Sequence, residues 1–172
     1  MPTKTEPSTT DGKRSPNDQD AIGLLKADHA AVAALFKSYE EAQADEDNDK
    51  KVVLATQICD ELTIHATIEE EIFYPAVREE FGDEENDLKM LDEAEVEHAR
   101  VKDLVGLIRI AIDVGLDPKA DANVKVLSEC VEHHVREEEA QMFPEVETSD
   151  LDLDGLGTLL KGRKGELEAQ LE

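Results

Sequence analysis

Tryptophan is absent from this chain, and aromatics together make up only 3% of it. Ala, Leu, Val, Glu and Lys dominate instead, a composition that favours helices over strands. Positive charge is also scarce: 18 Lys and Arg stand against 43 Asp and Glu, leaving a formal net charge of −25. A surface that acidic repels nucleic-acid phosphates and anionic lipid, so neither is an expected partner. The two cysteines, Cys59 and Cys130, have no CxxC spacing, which argues against a disulfide framework or a zinc–thiolate site and leaves two reduced thiols. No apolar run approaches the roughly 18 residues a membrane span needs. The opening stretch MPTKTEPSTTDGKRSPNDQD has no apolar core of a secretory signal. From these absences a cytoplasmic location is expected. The length, 172 residues, allows one domain with a good core and is short for two.

Residues 1–16 are Thr, Ser, Pro and charge, and read as a disordered tail; Ser15 before Pro16 has the form of a helix start. Four long helical patterns follow, over roughly 17–44, 48–80, 85–114 and 119–143, with breaks at ADEDND, Phe81-Gly82-Asp83, Gly115 to Pro118, and Pro144. Short connections force neighbouring helices antiparallel, so residues 17–145 are expected to form an all-α, up-down-up-down four-helix bundle. In residues 146–172, leucines 156, 159, 160, 167 and 171 suggest a short amphipathic helix packing on the bundle or on a partner. Four glycines there argue against one continuous helix.

Steps of three and four residues pick out an apolar seam in each pattern. The first runs Ile22, Leu25, His29, Val32, Phe36, Tyr39; the second Leu54, Ile58, Leu62, His65, Glu69, Ile72. The third is Leu91, Ala94, His98, Val101, Val105, Ile108, Ile112, and the fourth Val124, Leu127, Val131, His134, Glu138, Met142. Every helix thus carries one histidine at a core position, and two carry a glutamate one turn later. A lone buried imidazole is usually satisfied by a neighbour, and one His–Glu pair can be a structural ion pair. Four imidazoles and two carboxylates together are harder to satisfy, because an unpaired buried carboxylate costs several kcal/mol or gives up its charge. A bound cation satisfies all six.

Imidazole and carboxylate donors without thiolate suit iron, with manganese or zinc ranking behind it. A His and a Glu at i and i+4 share a helix face. Four nitrogens and two carboxylates are too many for one tetrahedral zinc and suit two metals, each with two histidines and shared carboxylates. The candidate ligands are therefore His29, His65, Glu69, His98, His134 and Glu138. In the fourth helix His133 and Glu137 offer the same spacing, on a stripe with Val126 and Cys130. His134 and Glu138 are preferred because His65 and Glu69 stand at the same distance from their following proline.

The stretches DHAAVAALF, HATIEEEIFYP, EVEHARV and HHVREEEAQMFP resemble the hemerythrin family, in its HHE cation-binding branch, over roughly residues 20–145. The resemblance implies a non-haem di-iron centre, oxo- or hydroxo-bridged, that meets oxygen, peroxide or nitric oxide. The chain departs from the oxygen-carrying members. Lys102 stands where they have a further third-helix histidine, Glu138 replaces an aspartate, and Ala66 stands where some relatives have a glutamate. A symmetric centre of four histidines and two carboxylates follows, better suited to sensing or redox chemistry than to carriage. Tyr74 has two readings, a redox-active group beside the metals or, preferred, a core cap with its hydroxyl in solvent.

The leading functional expectation is a di-iron protein that binds, senses or reacts with a small diatomic or peroxide ligand, with at most weak peroxide- or nitric-oxide-related activity. The alternatives are a metal-stabilised regulatory module, whose acidic surface and C-terminal helix would meet a protein partner, and iron buffering.

Overall fold

The computed structural model describes residues 20–82 and 85–171. The expected tail, residues 1–16, and the Ser15–Pro16 start lie outside the described residues. The first helix is instead capped by Asp20, whose carboxylate accepts from the Gly23 amide at 2.8 Å. From this cap α1 runs over Ala21–Ala44. Asp47 caps α2 (Asn48–Ile68) in the same way. α2 leads through a π-helical turn, Glu69–Phe73, into α3 (Tyr74–Phe81), which ends at Gly82 with φ 62°. α4 spans Glu85–Val114 and stops at Gly115, φ 94°. At both stops the chain needs a left-handed residue that only glycine adopts without strain. α5 (Pro118–Glu137), capped by Asp117, passes through a second π-helical turn, Glu138–Met142, into α6 (Phe143–Thr148).

α1 packs against α2, α2 against α4, α4 against α5, and α5 back against α1. That closed circuit of neighbours, joined by short turns, is the expected up-down-up-down bundle. The buried apolar residues fall into two clusters along its length. One holds Ile22, Leu25, Phe73, Leu91 and Phe143; the other holds Val32, Phe36, Ile58, Leu62, Val105, Ile108 and Leu127. Between them lies a layer of buried histidine and glutamate. At the far end Tyr39 donates to Asp121 Oδ1 at 2.7 Å, and Lys51, only 4% exposed, reaches the same oxygen at 2.7 Å. This buried trio ties the first turn of α5 to α1 and α2.

One helix end and one seam position are corrected. The fourth rod does not stop at Pro144 but continues to Thr148, because proline is tolerated in the first turn that follows a break in the hydrogen-bond ladder. The π-helical turns supply that break in both halves. In them the amides of Tyr74 and Phe143 donate to the carbonyls of Glu69 and Glu138, five residues back. The extra residue turns the following side chains around the axis. Phe73 and Tyr74 become buried, while Ile72, expected in the seam, is left half-buried.

The C-terminal leucines form one continuous helix, α7 (Leu153–Glu168), in spite of its glycines. It lies on α1, α2 and the first π-helical turn. Leu153, Leu156, Gly157 and Leu160 are its buried face, and the three leucines join the cluster containing Ile68 and Phe143. Tertiary packing outweighs the low intrinsic propensity of glycine here. Lys164 seals the contact with Asp28 at 2.6 Å, and Arg163 with Glu71 at 2.7 Å.

Candidate metal centre

The six seam donors meet in the polar layer. His29, His65, His98 and His134 are 2–6% exposed, Glu138 2% and Glu69 0%. Their Nε2 atoms come together in pairs, His29 with His65 at 3.2 Å and His98 with His134 at 3.1 Å. Each carboxylate then reaches across the pairs. Glu69 Oε2 is 3.2 Å from both His65 and His98, whereas Glu138 Oε2 is 3.4 Å from His134 and 3.3 Å from His29. Donor atoms of His29, His65, Glu69 and Glu138 form one group within 4.8 Å, and those of Glu69, His98 and His134 form another. Two adjoining cation positions sharing carboxylates are thus available.

Behind the imidazoles stands a ring of carboxylates. His29 Nδ1 faces Glu139 at 2.9 Å, His98 Nδ1 faces Glu70 at 3.0 Å, and His134 Nδ1 faces Glu97 at 2.9 Å. His65 Nδ1 is 3.7 Å from Asp28, beyond hydrogen-bond length. A carboxylate at Nδ1 holds that nitrogen's proton and turns the Nε2 lone pair inward, the orientation a metal-binding imidazole needs.

The electrostatics suit a bound cation. Burial pulls the His134 pKa down, but the charge of Glu138, the bond to Glu97 and the charge of Glu69 outweigh it and raise it to about 9. His29 is raised in the same sense against burial, chiefly by Glu138. Glu69, which burial alone would push up, is lowered to about 2 by His65, His98 and His134. Even so, Glu69 Oε1, Glu138 Oε2, His65 Nδ1 and Asp28 Oδ2 are buried without a hydrogen-bond partner. Such orphaned atoms are costly unless something else satisfies them. The residues therefore fit a metal pair.

A model of the hemerythrin HHE cation-binding domain matches residues 20–160. The chain belongs to the hemerythrin HHE cation-binding family. A similar solved structure is an HHE domain-containing protein from Mycobacterium kansasii, with a TM-score of 0.70, 24% identity and 88% of each chain covered. A curated relative described as a DNA nickase, from Nostoc sp. (strain PCC 7120), is 30% identical over 161 residues. That match takes in 92% of this chain but 42% of the relative, so the chain spans less than half of the relative's length.

Within this HHE bundle the two fourth-helix candidates differ in burial. The His134 side chain is 5% exposed against 50% for His133. Lys102 is exposed and donates to Glu70 at 2.7 Å. Ala66 is buried and offers no donor.

The preferred reading of Tyr74 is corrected. Its hydroxyl is not in solvent: the residue is 1% exposed and donates to Glu138 Oε1 at 2.8 Å, with His98 Nε2 at 3.3 Å and Glu69 Oε2 at 3.4 Å. The π-helical turn, invisible to a seam counted in threes and fours, carries it there. Burial, then the charges of Glu69 and Glu138, raises its pKa well above the usual phenol value and keeps it protonated.

The carboxylates behind the histidines were also missed. A signal existed: Asp28 and Glu97 immediately precede the two single histidines, and Glu70 and Glu139 immediately follow the seam glutamates. Those pairs, like the donors themselves, are separated by a constant 69 positions: His29 and His98, His65 and His134, Glu69 and Glu138.

Proposed function

We propose that this chain is a non-haem di-iron protein, with His29 and His65 holding one iron, His98 and His134 the other, and Glu69 and Glu138 shared. The observation that carries the reading is the pairing of the four Nε2 atoms, each pair reached by both carboxylates. When bound, such a pair supplies one-electron chemistry toward oxygen, peroxide or nitric oxide. The protein's own part is to position and to exclude. Tyr74 holds a proton against Glu138, and Glu97, Glu70 and Glu139 fix the imidazoles. A cavity of about 20 Å³ adjoins the four histidines and is walled by Val32, Leu62, Val101 and Val131. Room for about one water-sized group limits the reacting partner to a diatomic or peroxide-sized molecule.

Anaerobic iron loading should give about two irons per chain, with new charge-transfer absorption on exposure to air or nitric oxide. A folded protein that takes up no iron contradicts the reading. The second reading, a module whose metal holds the fold together, draws on the polar layer that splits the apolar core. It predicts that circular dichroism of the metal-free form shows a melted bundle, whereas a folded metal-free form with oxidant-sensitive spectra after loading favours the first. DNA cleavage, named for the Nostoc relative, is not part of the proposal, because a net charge of −25 opposes phosphate binding.

A further inference from the structure

The two halves of the bundle differ in how the centre meets solvent. In the first half, Ile64 and Ile68 are buried and Asp28 is held by Lys164 of α7. Their counterparts 69 positions on are His133, Glu137 and Glu97, whose side chains are 50%, 38% and 20% exposed. His133 Nε2 lies 3.3 Å from Glu97 Oε1 and 3.4 Å from Glu137 Oε1, so the three donors form a third group with metal-ligand spacing. Glu97 belongs to both places, since its other oxygen faces His134 Nδ1 at 2.9 Å.

Beside this trio a cavity of about 120 Å³ opens between α4 and the α5–α6 rod. Glu93 and Gln141, both exposed, stand at its outer side; Glu97 and Glu137 line it; buried His134 and Glu138 form its inner end. Glu138 lines that inner end and turns its Oε2 to His29 and His134 at 3.3 and 3.4 Å, so the cavity abuts the buried centre. A carboxylate-lined passage focuses cations toward its floor and repels anions.

We infer that Glu97, His133 and Glu137 form an auxiliary divalent-cation site that loads the buried centre through this cavity. The inference rests on the metal-centre reading above. Arg136 donates to His133 Nδ1 at 2.8 Å. That bond leaves Nε2 as the nitrogen turned to Glu97 and Glu137. No such site is available on the opposite face, where isoleucines replace the histidine and the glutamate.

The test is rapid mixing of the metal-free, full-length protein with Co²⁺ under anaerobic conditions. Absorbance reports filling of the centre and metal analysis the final content. Three proteins are compared: wild type, the double variant His133→Ala/Glu137→Gln, and Glu41→Gln, which also removes one negative charge but from an exposed site on α1. We expect the double variant to fill about tenfold more slowly while reaching the wild-type content, and Glu41→Gln to fill like wild type. A filled wild-type protein should bind one further, weaker Co²⁺ that the double variant does not. Equal filling rates in wild type and double variant overturn the inference, as does an equal slowing in both variants, which would reduce the effect to net charge. If the wild type takes up no metal at all, the metal-centre reading falls first and the loading site with it.

Discussion

The rods α1–α3 and α4–α6 repeat one plan at a constant offset, yet they treat their surroundings differently. What repeats is the machinery: a histidine preceded by an acid, a histidine and glutamate one turn apart, a second glutamate next to it, and a proline behind a π-helical turn. What differs lies around it. Tyr74 presents a phenol to the centre where Phe143 stacks a hydrocarbon ring on His29, 5.9 Å between centroids. α7 covers the first half, while the matching face of the second half carries His133 and Glu137. Donor geometry constrains both halves alike, whereas packing and access constrain each by its own neighbours. The six seam residues are therefore arranged alike in the two halves, but their environment is not.

The comparison breaks most strongly at the shared carboxylates. Glu69→Ala and Glu138→Ala should each lower bound metal from about two per chain to one or none, by metal analysis, because each glutamate approaches both histidine pairs. A variant that keeps both metals would show that its carboxylate is a spectator.

Leu160→Ala should cost about 2–5 kcal/mol in denaturant unfolding, since this fully buried side chain anchors α7. Hydrogen exchange should accelerate in α1 and α2 more than in α4 and α5. Uniform acceleration would mean that α7 supports the whole bundle instead of one half.

Tyr74→Phe makes the two halves alike at this position. It should destabilise the metal-free protein by about 1–3 kcal/mol, because Glu138 Oε1 loses its buried donor. It should also alter the visible spectrum of the loaded protein, and an unchanged spectrum would place the phenol outside the centre's influence.

The smallest effect belongs to Lys164→Met, about 1 kcal/mol for a half-buried ion pair with Asp28. Burial works against the Lys164 charge, but Asp28 raises the ammonium pKa above its usual 10.5. Its stabilising contribution is then fully present below pH 10.5 and fades as pH rises through the folded-state pKa. Wild type and variant should differ at pH 7 and converge in strongly alkaline solution.

The seams show what sequence alone makes legible. Period-three-and-four spacing picked out the six polar residues that the structure gathers in one buried layer and about half of the buried apolar residues, because burial in a helix follows from position around its axis. Ile72 and Ile112 fell short, each only half-buried. Ile72 failed for a clear reason: one extra residue in a π-helical turn shifts everything after it, and only the paired prolines at constant distance hint at that turn. Tyr74 was misplaced through the same shift. The continuity of α7 could not be seen from its glycines, because the apolar groove that stabilises it is made by residues distant in sequence.

The central claim, that four imidazoles and two carboxylates grip a pair of cations, is tested most directly by counting metal in freshly purified native protein. The account predicts about two irons per folded chain, lost together with the charge-transfer spectrum on chelation. A folded, monodisperse chain that holds no transition metal and gains none on anaerobic incubation with Fe²⁺ would contradict it.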